Sequence, residues 1–128
     1  MNRITLLLSI AMLAITAIAC AETPAVSELR PTQKIMQARA GWVKAMNENL
    51  AAKKFADVAK DAGALSAQTG KVAENLQGER KDLTLKVSQL AKATADAAVK
   101  EDAESVKAKL GEIKATCGEC HAKYRDKK

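Results

Sequence analysis

The chain reads as an all-α protein folded as an antiparallel, up-down-up-down four-helix bundle. Three observations lead there. No proline follows Pro31, alanine and lysine are abundant, and β-branched runs are absent, a composition that favours helix throughout. Apolar residues recur in steps of three and four along four separate stretches. The polar punctuation between those stretches is short, which makes consecutive helices antiparallel neighbours.

The region before the helices has a different character. Met1-Asn2-Arg3 is short and basic, and Ile4 to Ala19 is uncharged and mostly apolar. This pattern is that of a bacterial secretory signal, and the run is short for a membrane-spanning helix, which needs roughly 20 residues. Cleavage after the small-x-small site Ala19-Cys20-Ala21 divides the chain into a signal peptide, 1–21, and a mature domain, 22–128. Ala17-Ile18-Ala19-Cys20 also loosely matches a lipobox, in which Cys20 is lipidated and tethers the domain to a membrane. Both routes lead out of the cytoplasm, to a periplasmic and oxidising setting.

Residues 22–31, with Pro24 and Pro31, lead into the first helix. There Leu29, Met36, Val43 and Leu50 fall seven apart, with Ala40 and Met46 beside them. A break is expected between Asn49 and Lys54. Phe55, Val58, Ala62, Leu65, Thr69, Val72 and Leu76 form the second stripe. Gln77-Gly78-Glu79-Arg80-Lys81 ends that helix, and Asp82 is the expected cap of the third. Leu83, Val87, Leu90, Thr94 and Ala97 form the third stripe. Lys100-Glu101-Asp102 closes it, with Asp102 as N-cap of the fourth. Val106, Leu110, Ile113, Cys117 and Tyr124 complete the set. Gly63, Gly70 and Gly111 interrupt helical patterns, either tolerated or marking close backbone approach.

Such a bundle brings the start of the first helix and the end of the fourth to one end, as neighbours. Alanine dominates the stripes, so the protein core is thin, and an inserted apolar group adds much to stability. The formal charge is +6, and removing the signal takes away Arg3 and no acid. A modest positive balance steers the chain toward acidic protein partners. Only Trp42, Phe55 and Tyr124 are aromatic, and no dense basic stripe exists, so a nucleic-acid role is disfavoured.

Chemistry concentrates in Cys117-Gly118-Glu119-Cys120-His121. Cys-x-x-Cys-His attaches a c-type haem. Two thiols add across the two vinyl groups, the helical spacing sets the sulfurs, and the next histidine offers an axial nitrogen to iron. Cys117 and Cys120 are therefore the expected thioethers, and His121 the proximal ligand of one covalent haem c. A thioredoxin-like motif belongs at a helix start after a strand, and zinc needs more ligands than the single histidine and two mature cysteines supply. A disulfide between residues three apart on a helix suits the usual geometry poorly.

No second histidine is present, so the sixth ligand comes from Met36, Met46 or a lysine. Met36 lies early in the first helix, at the end where His121 is expected. Met46 is about 15 Å further along at the helical rise, too far to reach. A methionine on an apolar stripe is ordinarily core, but its placement opposite His121 favours Met36 as the distal ligand.

These residues resemble class II cytochromes c, the cytochrome c-prime family of haem-binding four-helix bundles. Cys117-Gly-Glu-Cys-His121-Ala-Lys-Tyr-Arg125 is similar to the family's terminal motif. Thr32-Gln-Lys-Ile-Met36 resembles the low-spin, methionine-ligated, cytochrome c-556-like branch. The high-spin branch usually has leucine or another non-ligating residue there and leaves iron five-coordinate. Arginine often stands near the position of Thr32 in the family, whereas the nearest here is Arg30, and the second connection is shorter than in many members. Arg125, expected four residues after His121 on the same helical face, is a candidate for a haem propionate or the proximal pocket.

The leading expectation is a non-enzymatic carrier of single electrons between periplasmic redox proteins with acidic docking faces. The alternative is a five-coordinate protein binding nitric oxide or carbon monoxide. A third reading is a bundle module within a larger redox complex, or at a membrane through Cys20. Monomer and homodimer are both compatible with the resemblance.

Overall fold

The computed structural model describes residues 30–125, and the expected signal peptide at 1–21, Cys20 and Leu29 lie outside that range. It consists of four helices: α1 (Pro31–Ala51), α2 (Phe55–Ala73), α3 (Gly78–Val99) and α4 (Ala103–Tyr124). Each packs on its neighbours in a cycle, α1 on α2, α2 on α3, α3 on α4 and α4 back on α1, with no diagonal contact among the described residues. This is the expected bundle. No helix among the described residues is long and apolar enough to cross a membrane.

The helix ends follow local chemistry. Pro31 starts α1, where its missing N–H costs nothing, and the Arg30 N–H donates to the Gln33 side-chain oxygen at 2.9 Å. Asp102 caps α4 as expected: it accepts the Ser105 backbone N–H at 3.0 Å and the Ser105 hydroxyl at 2.6 Å. The third helix begins earlier than the sequence suggests. Gly78 opens α3 with φ +58, so Asp82 lies inside the helix and does not cap it. Glycine adopts that conformation freely and serves as the start signal of α3.

Two turns reverse the chain without glycine. Lys53 (φ 57) and Glu101 (φ 54) take the left-handed conformation. The Lys54 N–H then reaches back to the Asn49 carbonyl at 2.8 Å, and the Asp102 N–H to Ala97 at 3.1 Å. These six-to-one bonds close α1 and α3.

The interior is packed mainly toward the end formed by those two turns. Met46, Val58, Ala62, Leu65, Ala91, Ala98, Val106 and Ile113 are essentially inaccessible there and along the middle of the bundle. Buried threonines are satisfied within their own helices: Thr94 donates to Leu90 at 2.8 Å, Thr116 to Glu112 at 2.9 Å, and Thr69 to Leu65. Ser66 and Ser88 exchange hydroxyl-to-carbonyl bonds across α2 and α3 at 2.9 and 2.8 Å. Gly70 sits at this contact, where an added Cβ would lie 3.5 Å from the Ser88 hydroxyl. Gly63 and Gly111 face open space, so neither marks a close approach.

Candidate haem site

At the other end the bundle is open. The α1–α4 contact is the loosest of the four, and a cavity of about 360 Å³ lies beside it. Met36, Arg39, Ala40 and Val43 from α1, Leu65 from α2, Leu83, Thr84 and Val87 from α3, and Cys117, Cys120 and His121 from α4 line it. Lys44, Asn47 and Lys114 complete the lining. A second space of about 240 Å³ adjoins it and shares Met36, Arg39, Thr84 and Cys120. Thr32, Ile35, Val72, Asn75, Leu76 and Arg80 form its other walls.

The helix α4 runs unbroken to Tyr124, so Cys117, Cys120 and His121, at helical spacings of three and four, occupy one face. Both cysteines are half-buried and unpaired, while His121 is exposed at the cavity edge. Burial pushes the Cys117 thiol up, and the Arg39 guanidinium pulls it in the opposite direction. Met36 is half-buried on the facing helix and lines both spaces. Met46 is fully buried in the closed half and lines neither.

Arg125 departs from its expected position. The helix stops at Tyr124, and Arg125 is an extended cap whose N–H reaches the His121 carbonyl at 3.2 Å. It therefore does not continue the helical face of His121, and it lines neither cavity. The next residues inward do more to fix this end. Lys123 pairs with Glu79 on α3, and the Tyr124 hydroxyl donates to Glu79 at 2.9 Å. Together they fasten the end of α4 to the start of α3.

Two residues at the site escape sequence reasoning. The Arg39 Nε–H donates to the Gln68 side-chain oxygen at 3.0 Å, while Arg39 Nη2 is buried without a partner. Burial lowers the Arg39 pKa, and the two cysteines oppose that shift. The only advance signal was an arginine three residues after Met36, on the same helical face.

The lining suits a haem. It is mostly apolar, and it brings Cys117, Cys120 and His121 together. Its charged residues are Arg39, Lys44, Lys114 and Arg80, and no carboxylate among the described residues is there to repel a group carrying two propionates. No cluster of three or more histidine, cysteine or acidic side chains among the described residues could hold a bare metal ion instead. Comparison with curated proteins and with solved structures gave no significant match. A family model described as Cytochrome C' matches residues 27–125, spanning all four helices and the whole cavity. The chain therefore belongs to the cytochrome c' family, whose cofactor is haem c and whose members carry electrons or bind small ligands.

Proposed function

We propose that this protein is a mono-haem electron carrier with low-spin iron, held by His121 on α4 and Met36 on α1. Cys117 and Cys120 bind the haem covalently. The observation that carries the reading is that Met36 lines the same cavity as Cys117, Cys120 and His121, from the facing helix.

When bound, the haem supplies a one-electron ferric/ferrous couple. The chain's own residues determine how that couple is used. Met36 closes the distal side, so no site is left open for an exogenous ligand. A thioether ligand also raises the reduction potential. Leu65, Leu83 and Val87 line the cavity with apolar surface. Lys44 and Lys114, at the cavity lining and exposed, give the exchange face a positive character. Periplasmic partners with acidic faces are favoured, through association that weakens as salt rises. The secretory signal at 1–21 supports that location, with lipidation at Cys20 as the membrane-tethered variant.

Electron paramagnetic resonance of the ferric protein tests the assignment. Wild type should be low-spin, and Met36→Ala should become high-spin. High-spin iron in the wild type would instead identify a five-coordinate protein open to nitric oxide or carbon monoxide.

A further inference from the structure

The joined cavities hold a charge that no acidic side chain among the described residues answers. Arg39 lies three residues after Met36 and lines both spaces. Its Nε–H bond to Gln68 holds the plane of the guanidinium across the α1–α2 contact. Its Nη2 is buried and unpartnered. Gln68 is neutral, and no aspartate or glutamate lines either cavity. An arginine stays protonated in a folded protein even when partly desolvated. A half-buried cation beside a mostly apolar cavity is screened less than one in water.

A haem held by Cys117 and Cys120 would turn its propionates away from it. In a porphyrin they project from the edge remote from the two vinyl groups, which Cys117 and Cys120 take up. Cys120 is, like Arg39, one of the four residues that line both spaces, and Cys117 lines the first beside them. The guanidinium thus lies toward the thioether edge. As thioethers, the sulfurs carry no charge, so nothing on that edge offsets the cation.

We propose that Arg39, oriented by Gln68, is a positioning residue that sets the reduction potential by favouring ferrous over ferric iron. Taking up one electron from a redox partner makes the haem site one unit less positive. A fixed cation nearby stabilises that reduced form more than the oxidised one. The inference rests on haem attachment at Cys117 and Cys120, and it holds whether or not Met36 binds iron.

The test is an optical redox titration of the haem-loaded wild type, Arg39→Met, Arg39→Lys and Gln68→Glu. Arg39→Met removes the charge while keeping side-chain bulk, and it should shift the midpoint downward. The shift expected is on the order of tenfold in the ferrous/ferric equilibrium constant, or about 59 mV for one electron. Arg39→Lys should recover much of that shift. Gln68→Glu keeps Arg39 but places a carboxylate on it, and it should also move the midpoint downward. An unchanged or raised midpoint in Arg39→Met overturns the proposal. If that variant does not load haem, an unchanged or raised midpoint in Gln68→Glu overturns it. Ferric spectra of each variant report ligation separately, so a failure of Met36 to bind iron is not confused with a failure of the charge to act.

Discussion

Where the α1–α2 and α3–α4 turns meet, Met46, Val58, Ala98 and Val106 close the interior with at most 1% of their surface exposed. At the opposite end Ile35, Met36, Cys117 and Cys120 remain half-exposed around a cavity. The same alanine-rich composition serves both ends, so the difference lies in how the large side chains are distributed. One half of the bundle carries a core built from the chain alone. The other half turns its apolar surface to a cavity, and under the proposed function its order should depend on the bound haem.

The strongest way to break this comparison is to prevent haem attachment. The double variant Cys117→Ser/Cys120→Ser should retain no haem on a denaturing gel. It should also lose more than about 4 kcal/mol of stability, the scale of a tightly held ligand. Hydrogen exchange should then separate the two ends. Amides around Val58, Ala62, Val106 and Leu110 should stay protected, while the first turns of α1 and the last turns of α4 exchange rapidly. Uniform loss of protection would mean that the closed half is not independently ordered.

Two methionines on one helix sharpen the contrast. Met46 is 0% exposed within the core, and Met46→Ala should cost about 2–5 kcal/mol, read from denaturant melts, with the ferric spin state unchanged. Met36 is half-buried against the cavity. Its truncation should change the spin state and, in haem-free protein, cost under about 2 kcal/mol. Equal costs in the haem-free chain would remove the distinction between the ends.

Most of this architecture is legible in the sequence because it rests on local rules. Four apolar stripes give four helices, and Asp102 followed by Ser105 marks a helix start. Cys117, Cys120 and His121 stand out by a spacing that has few other uses, and Met36 by its placement at the end of the bundle where His121 is expected. The remainder depends on tertiary context. Lys53 and Glu101 reverse the chain in a conformation that sequence assigns to glycine. Gly78 reads as a stop for α2, yet its positive φ starts α3. Arg39 reads as a solvated arginine, the usual fate of that residue. Its partial burial arises only when α2 brings Gln68 alongside and α4 brings the two cysteines to the same cavity.

A smaller effect bears on the helices between the two ends. An alanine Cβ at Gly63 would meet nothing within 4 Å. Gly63→Ala should therefore stabilise the protein by about 0.5–1 kcal/mol through helix propensity alone, seen as a raised denaturation midpoint. Destabilisation would reveal a contact partner on that face of α2.

The smallest expected effect concerns the fastening at the open end. Glu79 accepts from both Lys123 and the Tyr124 hydroxyl. These bonds hold its carboxyl below the usual carboxylate range, the Lys123 bond most strongly. A depressed folded-state pKa stabilises the protein above the unfolded-state value, and that contribution disappears as pH falls through the folded value. The same contacts raise Lys123 and Tyr124, so their contribution is complete below their ordinary values and is lost as pH rises through the raised ones. All three groups are solvent-exposed and the effect is small. Glu79→Gln should melt slightly below wild type at neutral pH. The gap should close in acid as the wild-type carboxyl protonates, and narrow again in strong base as Lys123 and Tyr124 lose their protons. A gap independent of pH would assign the contribution of Glu79 to packing and leave α4 held at this end by its cofactor alone.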